Sequence, residues 1–321
     1  MKRLVAVALV VMVAVALASG AAVAQRRFVT LASGWVVGVY YPIAGAMSRV
    51  VYNANLGIRL TVESSGASAA NARLIQTGDA DLAILQNDIG YYAYTGTTLE
   101  SFKGRPVTNI RGVLGLHREP IQIVARADSG IRSIADLRGK RVAVGPLGSG
   151  TEANAQQFLE AYGLSFADLG RVERLGAAEA SDYLKDGRLD AAFFTVGVGA
   201  SAIQDVAVVT PVRLVEIDDA RLAWLRERYP FYTREVIPGG VYKGIDQPVA
   251  TAAVRAILVA RAELEENLVY QILKAVMSDL DTLYQAHAAA RQITLEAALD
   301  AMPIPLHPGA ERFYREAGVL R

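Results

Sequence analysis

Gly78-Asp79-Ala80-Asp81 running into Leu82-Ala83-Ile84-Leu85, and Gly187-Arg188-Leu189-Asp190 running into Ala191-Ala192-Phe193-Phe194, are one phrase met twice in a chain of 321 residues. In each, a Gly-x-x-Asp turn opens an apolar run of strand length. Working outward from both copies gives one plan: strand, Gly-rich loop, helix, strand, Ser/Gly loop, helix. In the first, Phe28–Ala32 meets the Gly34–Gly38 loop, a helix over Tyr41–Asn53, strand Leu60–Glu63 and the Ser64–Ser68 loop. In the second, Arg141–Val144 meets the Gly145–Gly150 loop, a helix over Thr151–Tyr162, strand Val172–Leu175 and Gly176. Asp81 and Asp190 are 109 positions apart, Gly38 and Gly150 112, as two α/β lobes of one design require. Two such lobes imply a cleft.

The composition, 52% apolar and 20% charged, permits large cores in two domains of ordinary size. Cysteine is absent, which excludes disulfides, thiolate nucleophiles and thiolate metal sites. The formal charge of +1 includes Lys2 and Arg3; without them 31 basic side chains face 32 acidic ones, and no nucleic-acid partner is expected. Lys2-Arg3, the apolar run Leu4–Ala18 and Ala22-Val23-Ala24 read as a signal peptide over residues 1–24, cleaved near Ala24. A retained membrane anchor is the alternative. The expected location is the periplasm.

Residues 25–120 read as the first lobe and 121–211 as the second. Ile110–Leu116 and Ile121–Ala127 read as separate hinge strands, parted by His117-Arg118-Glu119-Pro120, because proline redirects the chain. Val212–Ile217 reads as the strand returning to the first lobe. The rest of 212–321 reads as helical, over Leu222–Arg228, Glu263–Tyr284 and Thr294–Met302.

Ligands of open α/β sheets bind beyond the carboxyl ends of strands, where helix N-termini offer free N–H donors and partial positive charge. Four such N-termini are expected, after Gly38, Ser64–Ser68, Gly148–Gly150 and Gly176. Gly34, Gly38, Ser65, Gly66, Ser68, Ser149, Gly150 and Thr151 are therefore candidate ligand contacts, joined by Thr195 and Gly197 just past the last strand of the second copy. An isolated Gly-Ser-Gly-Thr more often caps its own helix; the equivalent loop in the other lobe favours a ligand. Tyr40 and Tyr41 open a helix ahead of Pro42, one packing and one free to face the cleft. Gln86 and Asp88 follow a buried strand at its carboxyl end, a ligand-facing place. Trp35 could stack on a ligand or plug its lobe. Tyr91, Tyr92 and Tyr94 read as surface or core. Arg126 is a candidate partner for a ligand carboxylate, weighed against a solvated or lobe-bridging arginine. His117, His287 and His307 read as structural or surface, and no metal site, cofactor or catalytic residue is expected.

Gly38-Val39-Tyr40-Tyr41-Pro42, Gly78–Leu82 with Gln86 and Asp88, Ala127–Ile131, Gly139–Val142, Gly148–Asn154, and Tyr229-Pro230-Phe231-Tyr232 with Ile237-Pro238 together resemble the TAXI-type solute receptors of tripartite ATP-independent periplasmic (TRAP) transporters. The ordered set spans nearly all of the chain after residue 25. The resemblance implies a type II periplasmic-binding-protein fold, α/β with two lobes about a ligand cleft and a helical C-terminal region. It also implies a monomer that captures a small carboxylate, such as glutamate or a dicarboxylate, and delivers it to a membrane permease. Ser64-Ser65-Gly66-Ala67-Ser68 stands where the family commonly has Thr-Gly-Gly-Ser, and His117-Arg118 where it commonly has Tyr-Pro, which bears on ligand choice.

Two other classes compete. A binding protein of an ABC importer or a sensor keeps the cleft and changes the partner. A transferase-type enzyme on the same bilobal fold needs a nucleophile or acid–base pair, and the chain offers no Gly-x-Ser-x-Gly elbow, no phosphate-loop lysine and no paired histidine.

Overall fold

The computed structural model describes residues 27–321, so the expected signal peptide lies outside the described residues. The first repeat is β1 (Arg27–Ala32), α1 (Tyr40–Asn53), β2 (Ile58–Glu63), α2 (Ser68–Thr77) and β3 (Leu82–Gln86). β1 lies between β2 and β3 and runs parallel to both, Arg27 beside Ile58 and Leu31 beside Leu82. α3 (Asn87–Thr95) leads to β4 (Ile110–Arg126), which crosses into the second lobe. The second repeat is β5 (Arg141–Ala143), α4 (Gly150–Ala161), β6 (Arg171–Glu173), α5 (Ala177–Lys185) and β7 (Ala191–Thr195). β5 is again parallel to its two neighbours, β6 and β7. The two lobes thus share one strand order, and all five residues of both β3 and β7 are buried, as strands covered on both faces must be.

The repeated Gly-x-x-Asp has a local cause. Gly78 and Gly187 hold positive φ, +81° and +70°, where each preceding helix ends, a conformation that costs glycine nothing. The aspartate three residues on then ties the next strand to the first strand of its repeat. Asp81 Oδ2 accepts from the Thr30 backbone N–H at 3.0 Å, and Asp190 Oδ2 from that of Arg141 at 2.8 Å.

The connections differ from expectation in three places. β4 is one continuous strand through His117–Pro120 rather than two. Its first half pairs with β10 (Val249–Arg261) as far as Pro120 opposite Ala253, and from Ile121 it pairs with β7. Pro120 sits where the partner changes, so its missing N–H interrupts neither ladder. The expected return strand is β8 (Val212–Leu214), a short edge strand on the second-lobe half of β4, reached after α6 (Ser201–Val209). The chain goes back instead through α7 (Asp219–Arg228), β9 (Thr233–Ile237) and β10, which lies antiparallel between β3 and β4. β4 and β10 are therefore the two strands that join the lobes.

The expected long helix Glu263–Tyr284 is broken into α8 (Glu266–Ser278) and α9 (Leu280–Ala286), because Asp279 stops one and caps the other, accepting from Thr282 N–H. Thr294–Met302 holds turns rather than a helix. α10 (Pro308–Glu316) closes the chain, and its buried Tyr314 donates to the Val113 carbonyl of β4 at 2.8 Å.

Candidate functional site

Three helices start at the same place between the lobes: α1 at Tyr40, α2 at Ser68 and α4 at Gly150. A narrow cavity with room for about one water molecule, about 20 Å³, lies among them. The first lobe lines it with Gly34, Trp35, Gly38, Val39, Tyr40, Ala67, Ser68, Gln86 and Glu119, the second with Ser149, Gly150, Thr151, Thr195 and Val196. The sequence-based candidates Gly34, Gly38, Tyr40, Ser68, Gln86, Ser149, Gly150, Thr151 and Thr195 are brought together here.

Tyr41, Ser65, Gly66 and Gly197 are not among the lining residues. Ser65 braces its own turn, donating to Asn71 Oδ1 at 2.6 Å and accepting from the Ala67 N–H at 3.1 Å. Gly66 is exposed and Tyr41 half-buried outside the cavity, while Gly197 is buried where a side chain would press on His117 and Val39. The fourth expected N-terminus, at Gly176, does not line the cavity either. Arg126 is committed elsewhere: its guanidinium holds Asp128 at 2.7 Å and the Leu184 carbonyl at 2.9 Å.

At α4 the cap and the ligand contact are not alternatives. Ser149 Oγ accepts from the Glu152 N–H at 3.1 Å, and Glu152 accepts from the Gly148 N–H at 2.6 Å while holding Arg174. Two donors of this terminus are thus satisfied within the protein, and the N–H groups of Gly150 and Thr151 are left for the cavity.

A buried polar network ties the lobes across the cavity wall. Asn154 of α4 accepts from Gln86 Nε2 at 2.7 Å and Thr195 Oγ1 at 3.0 Å, and donates to Asp88 Oδ2 at 3.0 Å and the Tyr232 hydroxyl at 2.8 Å. Tyr232 in turn donates to Gln157 Oε1 at 2.5 Å. Gln86 lies so close to Gly150 that a Cβ there would meet its Oε1 at 1.6 Å. Nearer the cleft's rim, Ser201 Oγ of the second lobe donates to the Val37 carbonyl of the first at 3.0 Å.

Burial dominates the electrostatics. Glu119, 2% exposed, accepts from the Tyr40 hydroxyl at 2.6 Å, and desolvation pushes its carboxyl up to about 8. Asp88 is raised to about 6 by the same cause, against its hydrogen bonds from the Ile89 N–H and Asn154. His117, fully buried with Nε2 3.9 Å from Glu119, is pushed down to about 3. Its two ring nitrogens have no hydrogen-bond partner among the described residues. The histidine is buried, not at the surface, and stands beside the cavity's acid.

Sequence reasoning missed Glu119 and Asn154. The signal for Glu119 is a carboxylate between apolar runs on both sides, Val113–Leu116 and Ile121–Ala125, where a solvent-facing acid does not belong.

Residues 31–318 match the NMT1-like family. Among solved structures, a Bordetella bronchiseptica protein aligns over 92% of this chain and 90% of its own at 16% identity, with a TM-score of 0.55. A putative L-cystine ABC transporter from Listeria monocytogenes aligns over 84% and 98% at 12% identity, TM-score 0.52. The alkanesulfonate-binding protein SsuA from Xanthomonas axonopodis pv. citri, bound to MOPS, aligns over 92% and 81% at 15% identity, TM-score 0.50. At these identities the likeness is one of fold: mixed α/β, with the two lobes of periplasmic binding proteins. The matched family carries a different name from the TAXI-type receptors, and none of these structures is described as part of a tripartite transporter.

Proposed function

The chain belongs to the NMT1-like family, and from that premise we propose that it is a periplasmic solute-binding protein that encloses a small ligand bearing an acidic group and presents it to a membrane transporter. The observation that carries the proposal is a cavity walled by both repeats, with three helix N-termini aimed into it. An acidic group at the free N–H groups of α4 gains roughly 1.5–3 kcal/mol per charge-assisted hydrogen bond. A few such bonds and water exclusion reach micromolar affinity, roughly 8 kcal/mol. Receptor rather than enzyme is the reading supported by the solved structures of like fold, among them an alkanesulfonate-binding protein, and Ser149 Oγ is spent on its helix cap.

An ABC importer is the partner the comparisons favour, since the Listeria protein is described as a putative L-cystine ABC transporter. The ordered TAXI-like motifs support a TRAP permease with a small carboxylate as the second reading. Co-expression with each type of permease and measurement of solute uptake separates the two. The receptor itself is tested by thermal-shift screening of amino acids, mono- and dicarboxylates and sulfonates, with small-angle scattering on any hit. Micromolar binding without conversion of the ligand is expected. No hit across these classes, or turnover above a heat-killed control, would sink the proposal.

A further inference from the structure

The cavity's charges favour one ligand class. Of the side chains lining it, only Glu119 carries a formal charge when ionised at neutral pH, and no lysine or arginine is among them. The acidic end of a ligand is therefore met by helix N-termini, whereas a second ligand carboxylate would find no cation among the lining side chains to compensate it. Tyr40 donates to Oε2 of Glu119; Oε1 has no hydrogen-bond donor among the described residues.

Among the described residues no lysine or arginine pairs with Glu119. His117, on the same strand, is held neutral by burial. Arg255 of β10 is committed to the Leu116 carbonyl at 2.9 Å and to Asp300 at 3.7 Å. Asp88 from α3 adds negative charge. Tyr40 from α1 faces it as a neutral donor. The second lobe presents Thr195 and Val196, which do not titrate.

We propose that Glu119 seats a ligand ammonium group, so that the solute is an amino-bearing acid rather than an amine-free dicarboxylate or a simple sulfonate. The inference rests on the receptor reading above. Ammonium binding draws Glu119 into its ionised form, and a carboxyl raised to about 8 when the site is empty then releases its proton on binding at pH 7.

Calorimetric titration with matched pairs tests it: L-glutamate against glutarate, L-alanine against propionate, taurine against ethanesulfonate. In at least one pair the amino member should bind at least about thirtyfold tighter, the effect of leaving one partner of a buried charge pair unmatched. In buffers of different ionisation enthalpy at pH 7 it should release close to one proton, and its affinity should rise from pH 6 to 8. Glu119→Gln should collapse the ratio within the pair. If that variant does not fold, the wild-type ratio and proton release decide alone. Equal or tighter binding of the deaminated members, or proton uptake, overturns the ammonium seat and leaves the receptor standing. Absence of binding by every member overturns both.

Discussion

Gln86 Nε2 of the first lobe donates to Asn154 Oδ1 of the second at 2.7 Å, so the cleft is held shut by a bond that joins the two repeats. Asn154 uses its whole capacity, two acceptor and two donor positions, on Gln86, Thr195, Asp88 and Tyr232. A fully satisfied buried network specifies a single arrangement. In this arrangement the Gln86 side chain packs against the start of α4, beside Gly150.

Asn154→Leu keeps the volume and removes all four bonds, leaving Asp88 and Gln86 buried without that partner. A cost of roughly 3 kcal/mol or more is expected, a Tm fall of at least about 6 °C. Differential scanning fluorimetry measures it, with scattering expected to show a larger radius of gyration. A Tm within about 2 °C of wild type would mean that the network does not hold the lobes.

Gly150→Val addresses the same contact from the other side. Gly150 does not use positive φ, so a valine fits the backbone, but its Cβ would stand where Gln86 Oε1 now lies. The variant should fold with a near-wild-type circular dichroism spectrum, fail to close, and lose ligand affinity by more than a hundredfold. A folded Gly150→Val that closes and binds normally would move the site away from α4.

The repeat was legible in the sequence because its punctuation is local: a glycine at positive φ and an aspartate that ties two strands. The cavity was legible for the same reason, since Gly34, Ser68 and Ser149–Thr151 sit at strand-to-helix turns. β10 was not legible. Val249–Arg261 is alanine-rich, a helical composition, and becomes a strand because β4 pairs along one of its edges and β9 and β3 along the other. Glu119 was hidden by the same fact: without β10 the strand looked broken at His117–Pro120, and a residue in a break has no assigned face. For Arg126 the sequence leaves a ligand partner and a solvated or lobe-bridging arginine both open, because nearness to the hinge says nothing of direction; its head turns to Asp128.

Ala67 stands in the cavity wall with φ +66° and ψ −149°, a region that only glycine occupies freely. The strain costs roughly 1–3 kcal/mol, partly offset by the entropy a glycine loses on folding. Ala67→Gly should therefore raise Tm by about 1–4 °C, and Ala67→Val should lower it. Thermal melts of the pair check this. A lower Tm for the glycine variant would show that Ala67 is not strained.

Stability should also depend on pH through Glu119 in a window where few other groups act. A carboxyl raised by burial binds its proton more tightly folded than unfolded, so stability falls as pH rises between the two values, here from about 4.5 to about 8. Asp88, raised to about 6, has the same sign below that value. His117 has the opposite sign: the unfolded chain takes up a proton below 6.5 that the folded chain refuses until about 3, so stability falls as pH drops through that range. Below pH 6.5 these contributions oppose one another. Between 6.5 and 8 Glu119 acts without them, and wild-type stability should fall by up to about 1.4 kcal/mol per pH unit. Urea unfolding at pH 6.5, 7.25 and 8 measures the slope. Glu119→Gln carries no titrating group, and its profile should be nearly flat over the same interval. Parallel profiles for the two proteins would mean that Glu119 is ionised throughout, and the proton expected to leave on ligand binding would not be there to release.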